Sequence, residues 1–227
     1  MRMSNRQAFC AAYPDVHPAV REYFPDFDYR QCVGDRNIIC RMDSGPDNKV
    51  GHQQRAHSCF WALEHGGPLD LGLDLGSPRG MTPYAIHVDI FGDGRVHPIY
   101  GGGPYLSDIV YDASQITKIV PAVPSYPFII SNHSLEHMPG GDREIADLLV
   151  WWLSRVRPGG VLAMIIPDNA WFDVLKSDPD HKNAWSHDDF KPRVLDEVLR
   201  RSGSPTELVA YDTLDNHFSF DCVLRAR

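Results

Sequence analysis

LDLGSPRGMTPYAIHVD, residues 73–89, reads as a short apolar strand, a glycine-bearing turn and a second strand that closes on an acid. Glycines in such a turn let the backbone approach a ligand closely, because a Cβ there would collide with it. An aspartate at the end of the next strand accepts hydrogen bonds from both hydroxyls of a ribose, the logic used in dinucleotide folds. The segment therefore suits an adenosine-type cofactor. LDLG occurs twice, at 69–72 and 73–76, and only the second copy is followed by turn residues and another strand.

Around this segment, short apolar runs alternate with helical patterns. Leu69–Leu75, Ala85–Ile90, Asp108–Tyr111 and Pro127–Ile130 read as strands. Asp142–Val156 is the clearest helix, with Ile145, Leu148, Leu149, Trp152 and Val156 at helical spacing and Arg157-Pro158-Gly159-Gly160 ending it. Trp152 is expected in the core and Trp151 at the helix edge. Val161–Ile166 follows as a buried strand, and Asp188–Arg201 as a second helix carrying Phe190, Val194, Leu195, Val198 and Leu199 on one face. Asp188 or Asp189 is its expected cap, with Pro192 in the first turn and Gly203 at the end. Glu207–Tyr211 and Phe218–Leu224 are strands joined by the turn Asp212–His217, too short for anything but antiparallel pairing.

Upstream, His52–His65 is expected to be helical, with Ala56, Phe60 and Leu63 on one face and Gly66-Gly67 stopping it. Residues 1–50, rich in Pro, Asp, Tyr and Arg, read as an irregular N-terminal extension with one short helix near Pro18–Phe24. Residues 51–227 then form one α/β domain: a Rossmann-like sheet, parallel apart from an antiparallel terminal strand, with helices on both faces.

Composition narrows the function classes. With 43% hydrophobic residues in 227, the chain can bury a substantial core. No apolar run approaches the roughly 18 residues needed to span a bilayer, and the N-terminus lacks the apolar stretch of a secretory signal. The five cysteines (Cys10, Cys32, Cys40, Cys59 and Cys222) are odd in number and contain no C-x-x-C pair. That favours free thiols in a reducing, cytoplasmic setting. A formal net charge of −8 argues against a broad phosphate-binding face. The expected partner is a small-molecule substrate, with no nucleic acid and no membrane.

The order of motifs resembles the class I S-adenosylmethionine-dependent methyltransferases, in particular the compact branch in which a short loop joins the glycine turn to the second strand. The resemblance covers about Leu69 to Arg227 and rests on LDLGSPRG at 73–80, HVDI at 87–90, FIISNHSLEHM at 128–138 and RVRPGGVLAMIIPD at 155–168, with FSFDCVLRAR as the closing strand. It implies S-adenosyl-L-methionine as cofactor. It also implies that Asp74, Gly76, Ser77 and Gly80 form the cofactor turn and that Asp89, followed by Ile90, holds the ribose. Asp112 would lie near the adenine edge, and Ser131, Asn132 and His133 beside the methionine part. Pro78 departs from the family at the middle glycine, where a fixed φ and a missing donor change the backbone contact.

The expected acceptor is a hydroxyl on a small molecule or a sugar-like group; a base must then take the acceptor's proton, and histidine suits that task near neutral pH. His137 is the first candidate and His187 the second. His187 lies with Trp185 in a polar insertion, Ser177–His187, that reads as a solvated loop or a cover over the substrate. The glycine-rich segment Gly92–Gly103 reads as a surface loop or a wall of the ligand pocket.

Three rivals share these residues. A dinucleotide dehydrogenase needs G-x-G-x-x-G opening a helix and an acid about 20 residues later. Asp89 follows Gly76 by 13 residues, and Pro83 interrupts any helix between them. His133-Ser134-Leu135-Glu136-His137 spells H-x-x-E-H, which on a helix would place two zinc-binding histidines at i and i+4 with Glu136 as base. A methyltransferase fold that binds a partner without methylating is the third. No metal ion is expected.

Overall fold

A computed structural model describes residues 50–67, 69–76, 82, 84–90, 107, 109–118, 124–202, 206–213 and 218–227. The N-terminal extension, the Pro18–Phe24 helix, Ser77, Pro78, Gly80, the Gly92–Gly103 segment and Gly203 lie outside these residues.

Seven strands form one sheet: β1 (Gly72–Leu75), β2 (Ala85–Asp89), β3 (Ile109–Val110), β4 (Tyr126–Asn132), β5 (Val156–Pro167), β6 (Glu207–Ala210) and β7 (Ser219–Arg225). Their order is β3-β2-β1-β4-β5-β7-β6. The pairs from β3 to β5 are parallel, while β7 runs antiparallel to both β5 and β6. The mixed sheet expected from the alternating pattern is therefore present, including the closing hairpin. Gly72 lies inside β1 and Gly76 just after it, so the turn follows the second LDLG copy.

Period-two alternation sends successive side chains to opposite faces of the sheet, and two cores result. On one face, Phe128, Ile130, Val161, Ala163 and Val223 pack with Trp61 and Ala62 of helix α1 (Val50–His65). On the other, Ile129, Leu162, Met164, Ile166, Phe220 and Leu224 meet α2 (Asp142–Leu153) and the C-terminal helical segment. Trp152 is fully buried there, as the spacing predicts, and half-buried Trp151 carries the Arg155 guanidinium 4.5 Å above its ring. Burial of each such large apolar side chain contributes about 1.5–3 kcal/mol.

Several local expectations are corrected. α1 buries His57, Ser58, Trp61 and Ala62, leaving Phe60 and Leu63 half-buried at its edge. Tryptophan at 61 brings more apolar area than Leu63, so the helix turns that side inward. α2 ends at Leu153, and Arg157–Gly160 belongs to β5, where Gly159 takes φ +82°. This left-handed residue absorbs the register shift between the Tyr126–Val156 and Phe128–Val161 pairs.

A four-residue helix, α3 (Val174–Ser177), precedes the last helical segment. That segment comprises α4 (His187–Phe190), a π turn at Lys191–Leu195 and α5 (Asp196–Arg201). Its cap is Ser186, whose side chain accepts from the Asp189 N–H. Pro192 has no N–H to give an α-helical bond. The turn widens there, and the Asp196 N–H reaches the Lys191 carbonyl five residues back. Among the described residues, no helix is long and apolar enough to cross a membrane.

Candidate active site

Parallel strands β1, β2, β4 and β5 end at one edge of the sheet, and the candidate site residues gather at two corners of it. At the β1–β2 corner, Leu75 pairs with Val88, and the Gly76 N–H donates to the Val88 carbonyl at 2.8 Å. Gly76 and Asp89 thus sit side by side at the carboxyl edge. Gly76 has φ +80°, and a Cβ on it would come 1.9 Å from Ser134 Oγ. Only glycine fits both the backbone conformation and the space.

Asp89 is buried and Ile90 exposed, and the Asp89 carbonyl accepts from Tyr111 N–H at 2.8 Å, which ties in the next strand. Asp74 is buried in β1, where its carboxylate accepts from the Thr82 hydroxyl and pins the far side of the turn. Asp112 caps the 3-10 turn Ala113–Lys118, with Oδ1 accepting from Ser114 N–H at 2.9 Å and from Ser114 Oγ at 2.7 Å.

At the β4 corner, Ser131 is fully buried. The Asn132 side chain braces three elements: Nδ2 donates to Ser58 Oγ of α1 at 2.7 Å, and Oδ1 accepts from Ile165 N–H of β5 at 3.0 Å. His133 turns the chain with φ +49°. Its N–H donates to the Ile165 carbonyl at 2.8 Å, and its Nε2 lies 2.8 Å from Ser219 Oγ at the start of β7. Ser134 Oγ donates toward the Leu75 carbonyl at 3.1 Å, joining the two corners.

Beyond Ser134, a 3-10 turn (Leu135–His137) points Glu136 into a buried position only 1% exposed. Its Oε1 lies 3.8 Å from His133 Nδ1, 3.9 Å from His137 Nε2 and 3.9 Å from His181 Nε2. The His137 and His181 rings meet edge to face at 4.5 Å. Burial pushes the Glu136 carboxyl up to about 8, against a backbone hydrogen bond and with the Asp178 charge adding to the rise. Burial, together with His181 and His137, drives the His133 imidazole down to about 3. Burial and His181 also lower His137, against the Asp178 and Asp180 charges. His133 and His137 are therefore neutral near pH 7, with lone pairs to offer.

This geometry corrects the helical H-x-x-E-H reading. His133 lies before the 3-10 turn in a left-handed conformation, so His133 and His137 do not share a helix face at i and i+4. The close cluster is instead Glu136, His137 and His181, whose ligand atoms all lie within 4.8 Å of one another. His181 sits in the Ser177–His187 insertion, 44 residues beyond His137 in the chain. Among histidines in a polar loop it carries no mark of its own.

The insertion is docked rather than loose. Lys182 and Asn183 N–H groups donate to the Glu136 carbonyl at 2.7 and 3.0 Å, and Asn183 Nδ2 reaches the Met138 carbonyl at 2.8 Å. Trp185 is buried, with Nε1 donating to Asp142 Oδ1 at 2.9 Å. His187 stands apart from the cluster. It stacks on Tyr211 at 4.5 Å, and its N–H donates to Asp168 Oδ1 at 3.3 Å at the end of β5. Past β5, Trp171 and Leu175 stand half-exposed along an open cleft of ≈ 420 Å³ that Phe172 and Asp173 also line.

No protein-family model matches the chain, and no curated protein matches it significantly. Solved structures do match. The CcbJ methyltransferase from Streptomyces caelestis superposes with a TM-score of 0.52 at 14% identity, covering 82% of this chain and 98% of that one. A SAM-dependent methyltransferase from Archaeoglobus fulgidus gives 0.47 at 15% identity, covering 69% and 86%. With the 3-2-1-4-5-7-6 order and its single antiparallel strand, the chain has the class I S-adenosylmethionine-dependent methyltransferase fold. At this identity the likeness concerns the fold alone.

Proposed function

We propose that this protein is an S-adenosylmethionine-dependent methyltransferase that methylates a hydroxyl on a small-molecule acceptor. The observation that carries the reading is the adjacency of Gly76 and Asp89 at the carboxyl edge, where a left-handed glycine and a buried acid meet. Open α/β sheets bind ligands in the crevice beyond their strand ends. Asp74, Gly76, Ser77 and Gly80 would shape the turn around the cofactor, and Asp89 with Ile90 would take the ribose. Asp112 would face the adenine, with Asn132 and His133 at the methionine end.

The cofactor's sulfonium makes its methyl carbon electrophilic, so the protein's task is alignment and exclusion of water. When bound, the cofactor would supply this methyl group to the acceptor oxygen, with the electron pair of the broken C–S bond leaving on the sulfur of S-adenosylhomocysteine. The hydroxyl proton passes to a base. His137, neutral and next to the strand-four loop, is the first choice, and His187 the second. The acceptor would lie toward the aromatic cleft at Trp171, with residues 1–50 forming an extension to the domain at 51–227. The net charge of −8 supports a small acceptor over a nucleic acid.

Calorimetry with S-adenosylmethionine and S-adenosylhomocysteine tests the reading. One-to-one binding of either supports it, and no heat with both would favour a partner-binding fold without catalysis.

A further inference from the structure

We infer that Glu136, His137 and His181 hold a divalent transition-metal ion of the zinc class. Two imidazole nitrogens and a carboxylate oxygen converge from separate segments, the strand-four loop and the docked insertion. Glu136 Oε1 stands 3.9 Å from each of His137 Nε2 and His181 Nε2. Those separations are too long for hydrogen bonds. They suit ligands that share an ion. At metal–ligand distances of about 2.0–2.1 Å, tetrahedral ligands lie about 3.4 Å apart, so the carboxylate pairs need to draw in by roughly half an ångström.

A second observation points to the same place. Glu136 is 99% buried by its 1% exposure, and its Oε2 has no hydrogen-bond partner among the described residues. A buried carboxylate oxygen without a hydrogen-bond partner is costly, and a cation supplies the missing charge and coordination. The histidine geometry agrees. His181 Nδ1 lies 2.6 Å from the Val174 carbonyl, so that nitrogen is the donor, and Nε2 is the ring nitrogen turned toward Glu136. A backbone acceptor behind a ligating imidazole is the usual way a protein fixes the tautomer and ring orientation. Two bonds onto the Glu136 carbonyl hold the insertion in place, so His181 is positioned before any ion arrives.

Mixed imidazole and carboxylate ligation suits zinc, iron or nickel better than magnesium or calcium. Three protein ligands leave coordination positions for water or an acceptor oxygen, and the His137 side chain is 36% exposed. The ion's presence rests on the side-chain geometry, while its use on an acceptor oxygen rests on the methyltransferase reading. In that use His137 is a ligand of the ion, the ion polarises the bound oxygen, and the proton falls to His187, the second base named for the reaction.

The full chain, purified without a histidine tag and stripped by chelator, is titrated calorimetrically with Zn²⁺ and separately with Mg²⁺. The expected result is one tight Zn²⁺ site, weak or absent Mg²⁺ binding, and a His181→Ala variant at least about 100-fold weaker for Zn²⁺. Circular dichroism and S-adenosylhomocysteine affinity should be unchanged in that variant. Absence of a tight Zn²⁺ site, or equal Zn²⁺ affinity in a folded His181→Ala chain, overturns the inference. Should that variant misfold, Co²⁺ bound to the wild-type chain decides. Visible bands typical of low-coordinate nitrogen and oxygen ligation support the site, and a hexa-aqua-like spectrum overturns it. Zinc binding without cofactor binding would leave the ion site standing and remove the methyltransferase reading.

Discussion

The two corners of the carboxyl edge are built by different means. The β1–β2 corner is made mostly by backbone: a register that sets Gly76 beside Asp89, and a left-handed turn that admits no Cβ. The β4 corner is made by side chains from residues far apart in sequence, gathered around one buried carboxylate. Ser134 joins them through its hydroxyl on the Leu75 carbonyl. A backbone site of this kind holds a ligand by shape, whereas a side-chain cluster can change protonation or bind an ion. Under the proposed function, the first corner would take the cofactor and the second the chemistry.

Substitutions should separate the corners. His137→Ala is expected to have the largest effect, lowering turnover about 100- to 10,000-fold while leaving S-adenosylhomocysteine affinity unchanged. Equal loss of cofactor binding, measured by calorimetry, would merge the corners into one.

Gly76→Ala comes next. The left-handed conformation costs a residue with a Cβ about 1–2 kcal/mol, and overlap with Ser134 Oγ adds to it. A total loss of about 2–4 kcal/mol in urea unfolding is expected. Ser134→Gly in the same chain should return the overlap part, giving a coupling of at least about 1 kcal/mol. Additive effects would mean that the corners do not touch there.

Asp89→Ala should weaken cofactor binding by about 30- to 100-fold, because a carboxylate accepting from two hydroxyls is worth about 2–3 kcal/mol. Turnover at saturating cofactor should stay within a few-fold of the original. Unchanged cofactor affinity would reject the β1–β2 corner as the ribose site.

The smallest effect is expected outside both corners, at the partly exposed pair of Asp142 with Arg193. Burial works to raise the Asp142 carboxyl, but hydrogen bonds from Arg193 and Trp185 outweigh it and hold the group below its usual value of 3.8. A carboxyl depressed by folding stabilises above its unfolded pKa, and that stability is lost as pH falls through the folded value. Arg193→Ala should therefore cost no more than about 1 kcal/mol at pH 7, after screening. The difference from the wild type should shrink below pH 3.8 in unfolding measurements repeated at each pH.

Elements with a strong apolar period were legible in the sequence. The helix around Ile145 and Trp152 follows from its apolar period, and the strands through Phe128, Val161 and Phe220 from the near-continuous apolar runs that strands buried on both faces require. Less legible were features set by neighbours. The inward face of α1 depends on Trp61 finding space against Phe128 and Ile130. The π turn depends on where Pro192 falls after Ser186 has fixed the cap. Among the candidate residues, Gly76 and Asp89 were readable because a local turn and a strand of known register suffice to bring them together.

By itself, the sequence determined the alternating elements, the glycine turn and the acid that ends the second strand, since each is settled within a few neighbouring residues. Only the tertiary structure decided that His181 faces Glu136 and His137. That meeting is set by the docking of the insertion onto the Glu136 carbonyl, a long-range contact that no local pattern encodes.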